Sequence, residues 1–138
     1  MGMILRPLTE TFAVSPQIRP ADVAAAAAQG YRAIINNRPD GESWGQPKSA
    51  DIEAEAIAHG LSYTHIPVSL RGLDPEQVGQ MIAAQKAAEG PVLAFCKTGT
   101  RSSILWALSQ AGKMPADEII AAAAKAGYNV SNLRAHLG

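Results

Sequence analysis

The 138-residue chain has little of several things that would point to a particular class of protein. Its one cysteine, Cys96, cannot form an internal disulfide, so the fold does not depend on an oxidising compartment. Twelve acidic residues balance twelve Lys and Arg residues, so the chain lacks the broad basic face that nucleic acids or anionic membranes attract. Residues 1–10 are too poor in apolar side chains for a signal peptide, and no stretch approaches a membrane-spanning length. We therefore expect a cytoplasmic protein that binds neither nucleic acid nor membrane.

Metal-binding side chains are also scarce. The three histidines, His59, His65 and His136, show no spacing that would put two ligands on one face of an element, and a single cysteine adds little to a zinc site. We expect no metal and no cofactor. The length suits one domain with one core, and no linker or low-complexity segment divides it. We predict a single domain over residues 1–138, while the sequence leaves the oligomeric state open.

The order of apolar runs and helix signals predicts an α/β fold, with a mostly parallel central sheet flanked by helices. Strands are predicted at residues 11–14, as a weak edge strand, and at residues 31–35, 61–66 and 91–95. Helices are predicted between them at residues 20–29, 49–59 and 74–90. Every later segment has a helical pattern, which predicts an all-helical C-terminal tail. Since ligands bind outside the carboxyl ends of parallel strands, loops 36–46 and 67–73 should meet the loop that follows Cys96.

The loop after the last predicted strand is suited to binding an oxyanion. The sequence FCKTGTRSS passes from an apolar run through a glycine into a helix that begins near Arg101. A helix start leaves backbone N–H groups unpaired and carries partial positive charge, and Gly99 permits a left-handed backbone angle that turns such groups inward. Arg101 adds a planar fork that binds two oxygens. The predicted oxyanion-binding residues are Lys97, Thr98, Gly99, Thr100, Arg101 and Ser102.

Cys96 would lie at the floor of this loop, where its thiolate would be the nucleophile. An unperturbed thiol, with a pKa of ~8.5, is mostly protonated at neutral pH, so the inward N–H groups and Arg101 would have to lower that pKa. Ser102 could donate a hydrogen bond to the sulfur and help it to leave in a second step. The alternative is a buried structural cysteine beside an ordinary helix start.

The segment FCKTGTRS resembles the active loops of two groups of cysteine enzymes. These are the phosphatases of the protein-tyrosine and dual-specificity type, and the single-domain rhodaneses. In the phosphatases five residues separate the cysteine from the arginine. Four residues separate Cys96 from Arg101, as in many rhodaneses. Loop length therefore favours sulfur transfer.

The helical tail favours the phosphatases, because rhodaneses carry a further strand after the helix that follows the active loop. More narrowly, the chain resembles a family of small bacterial phosphatase-like proteins that are also found fused to beta-lactamase-type hydrolase domains. The matching segments are INNRPDGE at residues 35–42, HIPV at 65–68 and PVLAFCKTGTRSSILWAL at 91–108. This resemblance implies a fold similar to that of the dual-specificity phosphatases, and a reaction on phosphoesters or on persulfides.

A general acid for an alkyl phosphate should come from the two neighbouring loops. The phosphatase pattern places an aspartate soon after the strand that resembles SYTHIPV, and Asp74 is the nearest, although DPEQ also forms a capping box. Asp40 and Glu42 are the other candidates, although Pro-Asp-Gly is also a good turn. Arg38 and Arg71 could bind further anionic groups of a substrate or be solvated loop charges. Trp44 could face the substrate or fill the core.

Three functions follow from these residues. The first is a cysteine-dependent phosphatase that forms a thiophosphate on Cys96 and prefers aryl phosphates if the acid is weak. The second is a sulfurtransferase, in which Cys96 takes sulfane sulfur from an anionic donor bound by Arg101 and Lys97, and which needs no general acid. The third is a phosphate-binding module without turnover. The expected partner is thus a phosphorylated or sulfane-sulfur anionic substrate.

Overall fold

The protein folds as an α/β structure, seen in a computed structural model that describes residues 3–69 and 71–138. Residues 1 and 2, in the segment considered as a leader, and Leu70, in the second predicted site loop, lie outside the described part. The strands are β1 (Arg6–Pro7), β2 (Phe12–Ser15), β3 (Ala33–Asn36), β4 (Ser62–His65) and β5 (Val92–Phe95). The helices are α1 (Asp22–Ala28), α2 (Ser49–Ala58), α3 (Pro75–Ala87), α4 (Thr100–Ser109), α5 (Ala116–Lys125) and α6 (Arg134–Leu137). A 3₁₀ turn, Ser131–Leu133, precedes α6.

The sheet has the order β1-β2-β5-β3-β4, and β2, β5, β3 and β4 pair in parallel. The predicted mostly parallel sheet and the all-helical tail are confirmed. The strand predicted at residues 11–14 is present as β2, but its predicted edge position was wrong, because β1 pairs antiparallel with β2 and takes the edge. β1 is only two residues long and contains a proline, so the sequence has no alternating apolar pattern there that would predict a strand.

Helices cover both faces of the sheet. Successive side chains of a strand point to opposite faces, so neighbouring strand residues pack against different helices. On one face Ile35 and Ala94 pack with buried side chains of the tail helices, among them Trp106. On the other face Ile34 and Phe95 pack against α1 and α2. This double burial explains why the central strands are continuous apolar runs. In the described ranges no helix is both long and apolar enough to cross a membrane.

The carboxyl ends of the four parallel strands are level. The last residues of these strands share one row of the sheet register: Ser15, Phe95, Asn36 and His65. The chain segments that follow them therefore leave the sheet at the same height and beside one another. The functional candidates lie at this edge.

Candidate functional site

Cys96 directly follows β5 and is fully buried. The chain then turns through residues 97–99 into α4, and Gly99 has the predicted left-handed backbone angle, with φ of 92°. The main-chain N–H of Gly99 donates a hydrogen bond to Sγ of Cys96 over 3.1 Å. This contact directs a main-chain N–H group at the sulfur, the predicted nucleophile.

The carbonyl groups of the cysteine loop are held from outside the loop. The Lys97 carbonyl accepts a hydrogen bond from the main-chain N–H of Gln17 at 3.2 Å, and the Thr98 carbonyl accepts one from the Tyr128 hydroxyl at 3.0 Å. In a trans peptide the C=O and N–H groups point in opposite directions. With the carbonyls fixed outward, the N–H groups of the same two peptides, those of Thr98 and Gly99, face the opposite way.

Arg101 is held in one orientation by groups from both neighbouring loops. Its Nη1 donates to Glu42 Oε2 at 2.7 Å and to the Val68 carbonyl at 2.8 Å, and its Nη2 donates to Glu42 Oε1 at 2.9 Å. These bonds use three of the five guanidinium N–H groups. The Nε–H and the second Nη2–H lie on one edge, and that edge can still bind two oxygens of a ligand. The predicted meeting of loops 36–46 and 67–73 at the cysteine loop is seen in these bonds.

Glu42 and Arg101 perturb each other's ionisation. The hydrogen bond from Arg101, aided by Arg38, lowers the pKa of Glu42 to about 2. The pKa of Arg101 is raised, first by its hydrogen bond to Glu42 and further by the nearby Cys96. Glu42 is therefore a carboxylate at neutral pH with no proton to give. Its observed contacts are to two arginines, Arg101 and Arg38.

Arg38 is buried, with 4% of its side chain exposed. Its Nε, Nη1 and Nη2 donate to Glu42 Oε1, Gln17 Oε1 and Ser43 Oγ, each at 2.9 Å. The backbone carbonyl of Arg38 is in turn 2.8 Å from Nε2 of His65. All three guanidinium nitrogens thus have protein partners, and of the two predictions for Arg38 its burial excludes the solvated loop charge.

Asp40 and Asp74 are both engaged at helix starts. Asp40 Oδ1 accepts a hydrogen bond from the main-chain N–H of Ser49, at the first residue of α2, at 2.8 Å. Asp74 forms a full capping box with Gln77, with bonds of 2.9 and 3.1 Å. In the described ranges neither carboxylate has a hydrogen bond to the cysteine loop. Of the two predicted roles for Asp74, the structure contains the cap.

The remaining candidates lie in different surroundings. Ser102 is fully buried and its Oγ has no hydrogen-bond partner among the described residues, so the predicted bond to the sulfur is not formed. Lys97, Thr98 and Thr100 are exposed. Trp44 is 102% exposed, which excludes the core position that was one of its two predictions.

Three contacts of the site were not predicted from the sequence. These are the hydrogen bonds of Arg101 to Glu42 and to the Val68 carbonyl, and the hydrogen bond from the Tyr128 hydroxyl to the Thr98 carbonyl. The adjacency of Glu42 to Arg38 in the NRPDGE segment was a usable signal for the first. A main-chain carbonyl carries no sequence signal at all, and Tyr128 simply follows an ordinary helix end at Gly127.

Comparison with known proteins agrees with this architecture. Residues 4–113 match the family model of the phosphatase-like domain of beta-lactamase hydrolase-like proteins. A curated beta-lactamase hydrolase-like protein of Agrobacterium fabrum is 38% identical over 104 residues, which are 75% of this chain and 24% of that protein. The chain thus matches about a quarter of the length of that relative.

Two solved structures share the fold. A candidate phosphatase from Neisseria meningitidis is 41% identical, with a TM-score of 0.81 and coverage of 95% of this chain and 94% of that one. PTPMT1 superposes with a TM-score of 0.75 over 97% of this chain and 92% of its own, at 16% identity. The second likeness concerns the fold alone. The arrangement of the sheet and the helical tail is phosphatase-like.

Proposed function

We propose that this chain, which belongs to the family of phosphatase-like domains of beta-lactamase hydrolase-like proteins, hydrolyses phosphoesters with Cys96 as its nucleophile. The observation that carries the proposal is the bidentate hydrogen bonding between Arg101, at the end of the cysteine loop, and the carboxylate of Glu42. A bidentate carboxylate fixes Arg101 beside a buried sulfur that already accepts an N–H hydrogen bond. Such preorganised donors are what a phosphoryl group in transfer requires.

In the first proposed step the thiolate of Cys96 attacks phosphorus. The S–P bond forms and the P–O bond to the leaving group breaks, and the departing oxygen keeps the electron pair and takes a proton from water. The free edge of Arg101 and the inward N–H groups of the loop bind the equatorial oxygens. In the second step water attacks phosphorus, the S–P bond breaks with its electron pair returning to sulfur as the thiolate, and both protons of the water leave with the released phosphate. The hydroxyl of Ser102, buried without a partner, is then the proposed donor to the departing sulfur.

The carboxylates of the site predict its substrates. Glu42 binds Arg101, and Asp40 and Asp74 bind helix-start N–H groups, so none of these three carboxylates is free to protonate a leaving oxygen. A leaving group that departs without that help has a low pKa of its own. We propose phosphorylated anionic substrates with aryl leaving groups. A cytoplasmic location, where a lone thiol stays reduced, suits this chemistry.

A sulfurtransferase is the second candidate, and two observations favour it. The loop from Cys96 to Arg101 has the rhodanese length, and sulfur transfer needs no general acid. In that reaction the Cys96 thiolate would attack the sulfane sulfur of thiosulfate, an S–S bond would form on the enzyme and sulfite would leave. An acceptor thiol would then remove the sulfur.

One experiment separates these reactions. Reduced protein is given a thiosulfate pulse and examined by intact-mass spectrometry, and the same preparation is assayed for turnover of an aryl phosphate. Phosphate release that Cys96→Ser abolishes, with no added sulfur, is the expected result. A gain of one sulfur with little phosphate release would replace the phosphatase by the sulfurtransferase. Phosphate binding retained in Cys96→Ser, with neither turnover in the wild type, would leave a binding module.

Arg101→Lys tests the arginine separately, with Arg71→Lys, exposed in the neighbouring loop, as the matched control. Lysine keeps the charge but loses the planar fork, so we expect kcat/KM for the aryl phosphate to fall about 10²-fold. The control should leave it unchanged. Equal effects of the two substitutions would contradict the assigned role of Arg101.

A further inference from the structure

We infer that Tyr128 is a positioning residue for Cys96, acting through the single peptide that joins Thr98 to Gly99. This inference deepens the proposed function and depends on it for the reaction served. Tyr128 lies beyond the residues matched by the family model. It comes from the chain after α5, and its hydroxyl reaches across to the cysteine loop.

The Thr98–Gly99 peptide has a hydrogen bond at each end. Its carbonyl oxygen accepts from the Tyr128 hydroxyl at 3.0 Å, and its N–H donates to Sγ of Cys96 at 3.1 Å. Because the peptide is planar, fixing the direction of the carbonyl fixes the direction of the N–H. A carbonyl that accepts a hydrogen bond also makes the N–H of its own peptide a stronger donor. Tyr128 thus orients and polarises the donor on the sulfur without touching the sulfur.

The contact between Tyr128 and the cysteine loop requires a glycine at position 99. Besides its positive φ, a Cβ placed on Gly99 would lie within bonding range of the Tyr128 hydroxyl oxygen and close to the ring carbon that carries it. Only the absence of a side chain lets the tyrosine approach the loop this closely. The glycine therefore serves the tyrosine contact as well as the turn.

The tyrosine ring also contacts Arg6. The guanidinium carbon of Arg6 lies 5.7 Å from the ring centroid, within cation–π range. Nη1 of Arg6 donates to the Ala126 carbonyl at 3.2 Å, two residues before the tyrosine. Burial raises the pKa of Tyr128, so its hydroxyl keeps its proton and remains a donor at neutral pH. β1 supplies Arg6, which gives the two-residue strand a part in this arrangement.

The test uses the pH dependence of Cys96 alkylation by iodoacetamide, which reports the thiol pKa without any substrate. Cys96 is the only cysteine, so the modified site is unambiguous. In Tyr128→Phe only the hydroxyl is lost. We expect the alkylation midpoint to move to higher pH and alkylation at neutral pH to slow roughly 3- to 10-fold, the range of one net hydrogen bond. The acidic limb of kcat/KM for the aryl phosphate should move with it.

Tyr31→Phe is the matched control, since Tyr31 is also partly buried but lies just before β3, at the amino end of the strands. It should leave the alkylation midpoint unchanged. An unchanged midpoint in Tyr128→Phe, or an equal shift in both variants, would overturn the inference. A shifted midpoint in Tyr128→Phe from a wild type that turns over no phosphate would support the inference while the phosphatase proposal fails.

Discussion

The two loops that flank the cysteine loop are held in different ways. Loop 36–46 is tied by side chains: Arg38 binds three partners, and Gln46 accepts from the N–H of Glu42 at 3.0 Å and donates to the Pro39 carbonyl at 2.8 Å. The described residues of loop 67–73 are tied mainly by main-chain N–H groups, as in the bond from Val68 to the Asn37 carbonyl at 3.0 Å. The first loop depends on particular residue types, and the second depends on backbone shape.

Their contributions to the site follow the same division. Loop 36–46 gives Arg101 a carboxylate, and loop 67–73 gives it a main-chain carbonyl. A substitution can remove the carboxylate, but every residue type offers a carbonyl. The comparison teaches that changes in the first loop should affect the site strongly, whereas changes in the second should affect it only when they move the backbone.

Arg38→Met should have the largest effect. It removes a buried guanidinium and takes one hydrogen bond each from Glu42, Gln17 and Ser43, and we expect a cost of about 3 kcal/mol for the polar groups left without that partner. Urea denaturation should show a loss of this size in the free energy of unfolding. Arg71→Met, at an exposed arginine of the second loop, should change it by less than about 0.5 kcal/mol. Losses of similar size in both variants would remove the proposed difference between the loops.

Glu42→Gln should come next, with its effect on activity. Glutamine presents one carbonyl oxygen and an NH₂ group that opposes an Arg101 N–H, so the guanidinium turns from its place. A displacement of about 1 Å can cost 10²-fold in rate, and we expect a fall of that order in kcat/KM for the aryl phosphate. Ser69→Ala in the second loop is the control. Activity within twofold of wild type in Glu42→Gln would contradict the proposed role of the carboxylate.

Acidification should abolish the contribution of the Glu42–Arg101 ion pair to the stability of the fold. The folded-state pKa of about 2 lies below the ordinary value of 4.5, so the contribution is complete above pH 4.5 and is lost as the pH falls toward 2. The Tm of wild type should therefore exceed that of Glu42→Gln at neutral pH and converge on it across this range. A difference in Tm that stays constant down to pH 2 would show that ionisation of Glu42 does not stabilise the fold.

Substitutions of Asp74, which directly follows loop 67–73 as the cap of α3, should have the smallest effect on stability. Asp74→Ala removes the cap of α3 and should cost about 1 kcal/mol of stability, whereas Asp74→Asn retains a capping side chain. Both should keep the phosphate turnover of wild type. If Asp74→Asn keeps its stability and loses activity 10²-fold or more, Asp74 is the general acid after all.

Much of the architecture could be predicted, because local signals carried it. Gly99 predicted the left-handed turn, and the DPEQ sequence predicted the capping box at Asp74. The apolar run before Cys96 predicted a buried strand. The helical pattern after Arg101 was enough to separate this tail from the rhodanese arrangement. In each case the residues that make the structure are neighbours in the chain.

The rest of the site could not be predicted, because it depends on contacts between distant residues. Glu42 and Arg101 are 59 positions apart, and only the level strand ends bring them together. The same applies to Arg38, whose burial depends on Gln17 from another strand end. Ionisable residues in a polar loop do not reveal whether they will face solvent or one another.

The contact between Arg6 and Ala126 spans 120 positions, and it bears on the order of folding. Closing so long a loop is costly in chain entropy until other contacts have shortened it. We expect β1 and the end of α5 to dock late, so a chain growing from its amino end carries Cys96 before Tyr128 has been added. The Thr98–Gly99 peptide would then be fixed by Tyr128, with its N–H on the sulfur, only when the tail docks. Pulse-labelled hydrogen exchange would show this as late protection of the Arg6 and Gly99 amides.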